Sequence, residues 1–331
     1  MATKILIIRF SSIGDIVLTT PVIRCLKTQI KDSEIHYLTK TVFSALLTSN
    51  PYVEKVYTIK NDIHENISEL KNENYDLVID LHNNIRSALV KRKLGVKSSS
   101  VNKLNIAKWI MVNFKINQLP DVHIVDRYLE TTEQLGIKND FMGLDYFMPE
   151  NDHVDLATLP SSHQNAYIGF VVGAKYNTKK LPLEKVISII RKLKTPVVLL
   201  GGEEDVELAE KIKITLGDMV YNACGKYNIN QSASLVKQAA KIITHDTGLM
   251  HIAAAFKKEI YSIWGNTIPK FGMYPYLTGF GEKGEGKILE VYNLSCRPCT
   301  KIGFKKCPKG HFKCMNEINE DELVNAINLK H

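Results

Sequence analysis

Apolar and polar positions follow one another along the first half of the chain in a repeating order. Short apolar runs that predict β-strands lie at 4–10, 34–40, 53–59 and 76–81. Between them, apolar residues recur at helical spacing at 42–48, at 63–71 and in a helix that starts near Asp15. Strands that alternate with helices are typical of parallel βαβ units.

The same order begins again after a polar, proline-containing stretch at 149–166, which we interpret as a linker. Strands are predicted there at 166–172, 196–202, 219–224, 241–246 and 259–265. Helices are predicted at 183–193 and 206–216. A last helix, at 319–330, begins with Asn319 and acidic residues, which favour a helix start.

The pattern predicts an α/β protein with two Rossmann-like domains, at 1–150 and 166–315, and a C-terminal helix at 316–331. The length of 331 residues is enough for two domains with full cores. Ligands of such sheets bind at the carboxyl ends of the strands. We therefore expect functional residues in the loops that follow strands, in a cleft between the two domains.

The composition narrows the class of protein. Hydrophobic residues make up 44% of the chain and charged residues 24%, as in ordinary globular proteins. The sequence contains no apolar run of about 18 residues, so no membrane-spanning helix is expected. The N-terminal sequence MATKILIIRFSSIGD is interrupted by Arg9 and Asp15 too early for a signal peptide, and it predicts the first strand of a cytoplasmic protein.

The net charge of +8 is unevenly distributed. No acidic residue lies between Asp80 and Asp121, and this span carries Arg86, Lys91, Arg92, Lys93, Lys97, Lys103, Lys108 and Lys115. Apolar residues, including Trp109 and Phe114, lie among them. Such a segment suits an anionic membrane surface or a phosphorylated lipid, and it would also suit nucleic acid. A solvated helix face in a lysine-rich protein is an equally good interpretation.

The loop RFSSIGDIVLTTP follows the first strand. Gly14 permits a tight turn, and Asp15 falls at the start of the next helix, where N–H groups and the helix dipole stabilise a carboxylate. An aspartate there is also a common helix cap, and from this loop alone the cap is the better interpretation. The loop lacks the G-x-G-x-x-G spacing, which argues against a dinucleotide site.

Two loops of the second series carry charged residues after a strand. GAKYNTKKLPLEKV at 173–186 places Lys175, Lys179 and Lys180 where lysines can reach phosphate oxygens. LLGGEEDVELA at 199–209 places carboxylates where they suit ribose or sugar hydroxyls. In both loops, ordinary surface charge remains an alternative for any single residue.

The most distinctive segment is KIITHDTGLMHIAAA at 241–255. An apolar strand turns there directly into an apolar helix, and Asp246, Thr247 and Gly248 occupy the turn. The N–H groups of a helix start attract anions, so we expect a phosphate-bearing ligand, with Asp246 binding a polar group beside it. His251, one turn into the helix, could donate to a diphosphate, although a lone histidine there is more often a packing residue.

Four of the six cysteines lie in the segment CRPCTKIGFKKCPKGHFKC, as Cys296, Cys299, Cys307 and Cys314. In a cytosolic chain such a cluster indicates metal or reduced thiols before disulfides. The C-x-x-C spacing allows a structural Zn²⁺ site, although the interval from Cys299 to Cys307 is shorter than in common zinc ribbons. Packed reduced thiols are the better interpretation, and in either case the predicted role of the loop is structural.

Six motifs occur in one order over nearly the whole chain: RFSSIGDIVLTTPVI, DLHNNIRSALV, TKKLP, HDTGLMHIAAA, IWGNTIP and the cysteine segment. In this order they resemble the ADP-heptose:lipopolysaccharide heptosyltransferases, glycosyltransferase family 9. The D-T-G-x-x-H element and the S-x-G-D loop together make the resemblance specific. It implies a GT-B fold, with two facing Rossmann-like domains and the donor nucleotide in the C-terminal one.

The resemblance also implies roles for single residues. Asp15 matches the catalytic base, and Asp246 matches the residue that contacts the donor sugar. Thr247 and Gly248 match the backbone donors to the diphosphate, and His251 matches its side-chain partner. These five residues are therefore expected to form the catalytic and donor sites.

Further assignments are looser. Lys179 matches the lysine of the family's K-x-W-P, which here reads K-K-L-P with Leu181 in place of tryptophan. Asp205 falls where the family often has a ribose-binding glutamate, and Tyr227 is expected to flank the adenine. The residues expected to bind the acceptor are Arg86, Lys91 and Arg92.

The reaction that the resemblance implies is an inverting transfer of heptose, or a related sugar, from an ADP-sugar to a lipopolysaccharide-type glycolipid. The enzyme would be cytoplasmic or peripheral on the inner face of the inner membrane. Because only Asp246 offers a carboxylate near the expected diphosphate, we expect no required cofactor and no catalytic metal. A non-catalytic lipid- or polysaccharide-binding relative is the alternative, against which Asp15 argues. Nucleic acid is not expected as a partner, since it would leave the D-T-G-x-x-H element unexplained.

Overall fold

The computed structural model describes residues 3–60, 62–278 and 286–328, and the chain forms two compact units. The first unit comprises Met1–Lys103 and Val122–Pro149. The second comprises Leu104–Asp121 and Glu150–His331. Each unit is built around a parallel β-sheet with helices, which confirms the α/β class predicted from the alternation of strands and helices.

In the first unit, five strands pair in parallel in the order β3-β2-β1-β4-β5. The strands are β1 (Thr3–Ile8), β2 (Ser33–Lys40), β3 (Lys55–Ile59), β4 (Leu77–Asp80) and β5 (Ser98–Ser100). The helices are α1 (Ile13–Val17), α2 (Thr20–Gln29), α3 (Ile67–Asn72), α4 (Ile85–Leu94) and α6 (Ile124–Leu129). Residues 5–8 of β1 are fully buried, because a central parallel strand is covered on both faces.

In the second unit, six strands pair in parallel in the order β11-β10-β9-β6-β7-β8. The strands are β6 (Ile168–Val171), β7 (Val197–Leu200), β8 (Val220–Asn222), β9 (Lys241–His245), β10 (Ile260–Trp264) and β11 (Lys287–Glu290). The helices are α5 (Asn105–Phe114), α7 (Leu183–Lys192), α8 (Val206–Leu216), α9 (Ile229–Gln238), α10 (Gly248–Ala255), α11 (Lys313–Asn316) and α12 (Glu320–Asn328). Within the described ranges, none of the helices combines the length and the apolar character needed to cross a membrane.

Each strand predicted from the sequence is present, with small differences at the ends. Two edge strands were not predicted. Strand β5 consists of three serines and pairs with β4, so no apolar run marks it. Strand β11 is a short segment that pairs with β10. The helix predicted at 42–48 is instead a 3₁₀ turn, Thr41–Leu46.

The stretch at 149–166 is not a loose linker, because most of it packs on the second unit. The N–H of Val154 donates to the Ser234 hydroxyl over 2.9 Å. The fully buried His163 lies with its Nε2 3.2 Å from the carbonyl oxygen of Val197 on β7. Polar composition alone predicts a linker, and these nonlocal hydrogen bonds cannot be read from it.

Two further segments belong to the second unit. Residues 104–121, placed in the N-terminal domain by the sequence analysis, contribute α5, whose Met111 packs with Phe271. Helix α12 is integral to the core of the second unit, where Leu323 and Ile327 are buried. Its Glu320 accepts hydrogen bonds from side chains of α7. The chain therefore passes from the first unit into the second at α5, returns to the first unit at residue 122 and enters the second unit again at residue 150.

A network of charged side chains spans the amino ends of the strands in the first unit. The Glu73 carboxylate lies 2.9 Å from Lys4 Nζ on β1 and 2.8 Å from Lys55 Nζ on β3. It also accepts a hydrogen bond from the Tyr57 hydroxyl. The hydrogen bonds from Lys55, Tyr57 and Lys4 lower the pKa of Glu73 well below its usual range. The network therefore stabilises the fold most when Glu73 is ionised.

Replacing Glu73 with glutamine is expected to lower the free energy of unfolding by about 1–2 kcal/mol near neutral pH. Because the pKa of Glu73 is lower in the folded chain than in the unfolded one, this stabilisation is complete above the unfolded value of about 4.3 and is lost as the pH falls below it. Urea unfolding of both proteins at about pH 7 and about pH 3 measures the effect. Equal midpoints near neutral pH would contradict the prediction.

Candidate active site

Each sheet has a point at which successive strands are added to opposite sides, and ligands of such sheets bind there. In the first unit this switch point lies between β1 and β4, and in the second unit it lies between β6 and β9. The predicted residue Asp15 follows β1. Lys179 follows β6, and Asp246 follows β9 directly. The topology therefore places these three residues at the two switch points.

Asp15 lies in α1 with its carboxylate held at both oxygens. Oδ1 is 2.6 Å from the guanidinium of Arg9. Oδ2 accepts hydrogen bonds from the N–H of Ser12 over 3.0 Å and from its hydroxyl over 2.7 Å. The side chain remains 21% exposed. Ser12 is the cap residue of α1, and Asp15 completes a capping box by accepting the Ser12 N–H. The paired, oriented and accessible carboxylate also meets the requirements of a general base.

Arg9 is a site residue that the sequence analysis missed. Its buried guanidinium pairs with Asp15 and also donates to the carbonyl oxygens of Ser11 and Leu81, so it joins the loops after β1 and β4. Burial disfavours its charge, but the attraction of Asp15, followed by Tyr128 and other groups, raises the pKa of Arg9 above its ordinary value. A permanent cation therefore stands beside Asp15. A single arginine at the end of an apolar strand carries no motif that would reveal this role.

The three residues predicted to bind the acceptor lie on α4 but do not form one face. Arg86 and Arg92 are exposed. Lys91 is instead 3.0 Å from the fully buried carboxylate of Asp80, the last residue of β4. This ion pair joins α4 to the end of β4, and the assignment of Lys91 to the acceptor stays a prediction. The neighbouring His82 is neutral at neutral pH, because burial, Arg9 and Lys103 lower its pKa to about 4.

Lys179 and Asp246 form an ion pair at the switch point of the second sheet. The ammonium of Lys179 lies 2.5 Å from Asp246 Oδ2 and 3.3 Å from the Asp246 carbonyl oxygen. The hydroxyl of Thr267 donates to the same Oδ2 over 2.9 Å. Both members of the pair keep 15% of their side-chain surface exposed. The site thus presents one cation and one carboxylate, each partly open to a ligand.

Lys180, the residue after Lys179, forms a second ion pair with Asp205. Lys180 Nζ lies 2.5 Å from Asp205 Oδ1, and Oδ2 accepts the N–H of Gly202 over 3.1 Å. A Cβ atom on Gly173 would come within 2.1 Å of Asp205 Oδ2, so only glycine permits this approach. Because Asp205 is 2% exposed with both oxygens engaged, its predicted role in ribose binding is corrected to a structural one. The exposed carboxylates of that turn are those of Glu203 and Glu204.

His245 is a second site residue that the sequence analysis did not assign. It ends β9, directly before Asp246, and its Nε2 accepts the N–H of Leu181 over 3.0 Å. Complete burial and the nearby Lys180 ammonium lower its pKa to about 3. The ring is therefore neutral and can act as an acceptor. Since Leu181 follows Lys179 and Lys180, this bond fixes the loop that carries both lysines.

Helix α10 starts at Gly248, immediately after Asp246 and Thr247. The hydroxyl of Thr247 lies 3.3 Å from that of Thr244 and, among the described residues of this turn, does not cap the helix. The first N–H groups of α10 can therefore bind an anion. His251 is buried one turn further on, and its contact to a diphosphate stays a prediction.

Tyr227 lies after β8, the edge strand that β6 and β7 separate from the switch point. Its hydroxyl is 3.1 Å from that of Tyr221. Burial and this neighbour raise the pKa of Tyr227, so the phenol is neutral. The half-buried ring is compatible with an adenine contact, which stays a prediction.

Comparison with known proteins decides the family. The model of glycosyltransferase family 9 (heptosyltransferase) matches residues 63–302, which is well over half of the chain. The chain belongs to glycosyltransferase family 9. The resemblance seen in the sequence motifs is thereby confirmed, and the protein is a glycosyltransferase of this family.

Individual relatives and solved structures are similar to this family 9 chain over nearly its whole length. Lipooligosaccharide heptosyltransferase 2 of Haemophilus ducreyi is 25% identical over 367 aligned positions, covering 98% of each chain. The crystal structure of a family 9 glycosyl transferase from Veillonella parvula matches with a TM-score of 0.78 at 20% identity, over 99% of this chain and 96% of the other. The ADP-heptose lps heptosyltransferase II of E. coli matches with a TM-score of 0.73 at 21% identity, over 99% and 98%. The two structural matches confirm the GT-B class of fold.

The cysteine segment of this family 9 chain holds the lysine loop in place. The hydroxyl of Thr178, directly before Lys179, donates to the carbonyl oxygen of Phe304 over 3.0 Å and accepts the Phe304 N–H over 2.8 Å. The N–H of Thr178 also donates to that carbonyl oxygen over 3.2 Å. We call this set of bonds the Thr178 clasp. It fixes the backbone from which Lys179 reaches Asp246.

A second attachment lies on the other side of Asp246. The guanidinium of Arg297 donates to the carbonyl oxygen of Thr267 over 2.9 Å, and it is paired with Glu290 at 2.8 Å. Thr267 is the residue whose hydroxyl binds Asp246. The cysteine segment therefore supports both members of the Lys179–Asp246 pair. The structural role predicted for this segment is thus to hold the loops that carry the pair.

The four cysteines of the segment lie near one another, and Cys296 Sγ is 3.9 Å from His311 Nε2. All six cysteines of the chain are free thiols, and burial raises the pKa of Cys299 to about 11 and that of Cys314 to about 12. Sulfur ligands of one tetrahedral Zn²⁺ lie about 3.8 Å apart. Among the described residues, the set of three metal-ligand side chains whose ligand atoms lie within 4.8 Å of one another is Glu34, His36 and Glu73, and it includes no cysteine. Binding of a structural zinc would therefore require the thiols to move closer together, and the zinc site stays a prediction.

Replacing Thr178 with valine, which has the same shape but no hydroxyl, is expected to raise the donor KM about threefold to tenfold, with a smaller change in kcat. The reason is that the N–H of Phe304 loses its acceptor and the lysine loop its clasp. Thr178→Ser restores the hydroxyl and is expected to restore the donor KM. A valine variant with the wild-type donor KM, or a serine variant as impaired as valine, would show that the clasp does not position Lys179.

Proposed function

We propose that this family 9 glycosyltransferase transfers a heptose from ADP-heptose, with inversion at the anomeric carbon, to a lipopolysaccharide-type glycolipid. The observation that carries the proposal is the Lys179–Asp246 pair beside the start of α10. A sugar diphosphate requires a cation and N–H donors for its phosphates and an acceptor for its sugar hydroxyls, and these groups adjoin one another there. The names of the relatives support the choice of sugar and acceptor.

In the donor half of the reaction, the bond between the anomeric carbon and the diphosphate oxygen breaks, and ADP leaves with the electron pair. The Lys179 ammonium and the N–H groups of α10 stabilise the negative charge that grows on the diphosphate. When the diphosphate draws Lys179 toward it, the partly exposed Asp246 carboxylate becomes available to accept hydrogen bonds from the sugar. Thr267 keeps this carboxylate oriented during the exchange.

In the acceptor half, a hydroxyl of the glycolipid attacks the anomeric carbon as its proton passes to the Asp15 carboxylate. Arg9 and the two hydrogen bonds from Ser12 keep Asp15 oriented for this transfer. The attacking oxygen and the leaving ADP lie on opposite sides of the carbon in such a displacement, so the configuration is inverted. General-base catalysis of this kind contributes about 10²–10⁴-fold to the rate.

Several contacts remain part of the proposal. His251 is the candidate side-chain donor to the diphosphate, and Tyr227 the candidate neighbour of the adenine. Glu203 and Glu204 replace Asp205 as candidate partners of the ribose hydroxyls, because they are the exposed carboxylates of that turn. For the acceptor, Lys91 and the exposed arginines of α4 remain candidates. We place the reaction in the cytoplasm at the inner face of the inner membrane, where a lipid-borne acceptor meets a soluble donor.

A screen of sugar nucleotides tests the proposal. The purified protein is incubated with ADP-, GDP- and UDP-sugars, with and without a lipopolysaccharide core acceptor, and the release of nucleoside diphosphate is measured. We expect release from ADP-heptose that increases strongly when the acceptor is added. Faster release from another nucleotide would overturn the donor, and binding without turnover of any donor would favour a non-catalytic relative.

A further inference from the structure

Helix α5 is apolar on two opposite sides. On its inner side, Ala107, Met111 and Val112 pack against a small cluster that includes Ile268 and Phe271. This packing orients the helix on the second unit and directs its other side to solvent. A surface helix with one buried side normally carries polar residues opposite to it.

The outer side of α5, together with Ile116 just after its end, instead carries large apolar residues. The exposed fractions are 77% for Ile106, 53% for Trp109, 61% for Phe114 and 56% for Ile116. The rings of Trp109 and Phe114 meet edge to face, with centroids 5.4 Å apart. We call these four residues the α5 surface. Scattered exposed hydrophobic residues need no explanation, but four within one short segment mark an interaction site.

The charge around the α5 surface selects the kind of partner. Lys103, Lys108 and Lys115 lie next to these residues in sequence, and there is no acidic residue from 81 to 120. Lys115 is exposed, and its ammonium also donates to the carbonyl oxygens of Val112 and Pro298 over 2.7 Å. The ammonium of Lys108 lies 5.9 Å from the ring of Phe271. The next acidic residue, Asp121, is itself 3.0 Å from Lys270. The chain segment that carries the α5 surface is therefore cationic, which opposes another cationic surface and attracts an anionic one.

We propose that the α5 surface inserts into the interfacial region of an anionic lipid bilayer. Aromatic and aliphatic residues bordered by lysines are the composition of interfacial helices, in which the apolar side chains enter the acyl boundary and the lysines approach lipid phosphates. Nucleic acid fits less well, because exposed isoleucines neither stack on bases nor bind phosphates. The inference rests on the proposed function only in that it brings the enzyme to a lipid-borne acceptor.

The basic segment that the sequence analysis related to a membrane is thereby divided. Lys91 of α4 is bound to Asp80 in the first unit, whereas the apolar residues of the segment lie on a helix of the second unit. Membrane contact is accordingly assigned to α5, and α4 is not required for it.

Tryptophan fluorescence tests the insertion at a single residue. The chain has two tryptophans, and Trp264 is 1% exposed, so the part of the emission that is lost in Trp109→Phe reports on Trp109 alone. On addition of phosphatidylglycerol vesicles we expect this emission to shift to shorter wavelength and to be quenched by brominated acyl chains. Phosphatidylcholine vesicles should give a weaker response, and added salt should reduce binding. An unchanged Trp109 emission with all vesicles would overturn the proposal.

Vesicle co-sedimentation tests the surface as a whole. The double variant Ile106→Ser, Phe114→Ser is expected to bind phosphatidylglycerol vesicles about tenfold more weakly than the wild type. The matched control is Ile214→Ser on α8, which is 79% exposed on the same unit and should bind as the wild type. Equal binding by the double variant would overturn the proposal, as would a Trp109 response to RNA stronger than that to vesicles. The release of ADP is measured without vesicles and does not depend on the result of the vesicle assays. A failure of the membrane proposal can therefore be distinguished from a failure of the proposed function.

Discussion

Replacing Asp15 with asparagine is expected to lower kcat by about 10²–10⁴-fold, while the affinity for ADP stays nearly unchanged. Asparagine keeps the shape of the side chain, and its amide oxygen can still accept the Ser12 N–H, so α1 should remain intact. It loses the ability to take a proton from the acceptor hydroxyl and also the charge that pairs with Arg9, so the melting temperature is measured beside the activity. Steady-state kinetics and calorimetric titration with ADP measure the two quantities separately.

This variant also decides between the two interpretations of Asp15 that the sequence leaves open. If Asp15 were only a cap, asparagine would be nearly as active as aspartate. The matched control is Ser12→Ala, which removes the hydroxyl bond to Asp15 but leaves the backbone bond and the Arg9 pair. We expect it to be much less impaired than the asparagine variant, and wild-type turnover of Asp15→Asn would exclude the base.

Replacing Lys179 with methionine is expected to lower kcat/KM for the donor by about 10²-fold, because the charge on the departing diphosphate loses its charge-assisted partner. Methionine keeps the apolar stem of the lysine and removes only the ammonium. Binding of ADP should weaken together with turnover, which distinguishes this variant from Asp15→Asn. Donor kinetics and ADP titration on the same preparation measure both effects.

The two neighbouring lysines provide the controls for this prediction. Lys175→Met changes an exposed lysine of the same loop and should leave the donor kinetics unchanged. Lys180→Met leaves the buried Asp205 without its cation, so it should lower the melting temperature as well as the activity. An active Lys179→Met variant with normal ADP affinity would remove Lys179 from the donor site.

The sheets could be predicted from the sequence because buried parallel strands are nearly continuous apolar runs. The residues that follow the strands at both switch points could also be predicted, because in a motif such as THDTG only a few residues separate the strand from the helix. Strand β5 could not be predicted from the sequence, because its three serines are held in an extended conformation by pairing with β4. The 3₁₀ turn Thr41–Leu46 shows the same limit, because its apolar residues have helical spacing without enough length for a helix.

The residues that support the site were harder to predict than those that form it. Arg9, His245 and Thr178 act through partners that are distant in sequence, as in the bond from Thr178 to Phe304. The error at Asp205 has the same origin, because only the fold shows that Lys180 occupies its carboxylate. A sequence motif reports the spacing along the chain, whereas these roles depend on contacts between different loops.

The Thr178 clasp has a consequence for the order of events during protein synthesis. Phe304 and the buried residues of α12 leave the ribosome after all the strands of the second sheet. The lysine loop, although synthesised much earlier, therefore lacks its support until nearly the whole described chain has emerged. Domains fold as units during translation, so the first unit can fold while the donor half is still incomplete. A ribosome stalled before residue 304 would accordingly carry a nascent chain with a formed Asp15 site and no competent donor site.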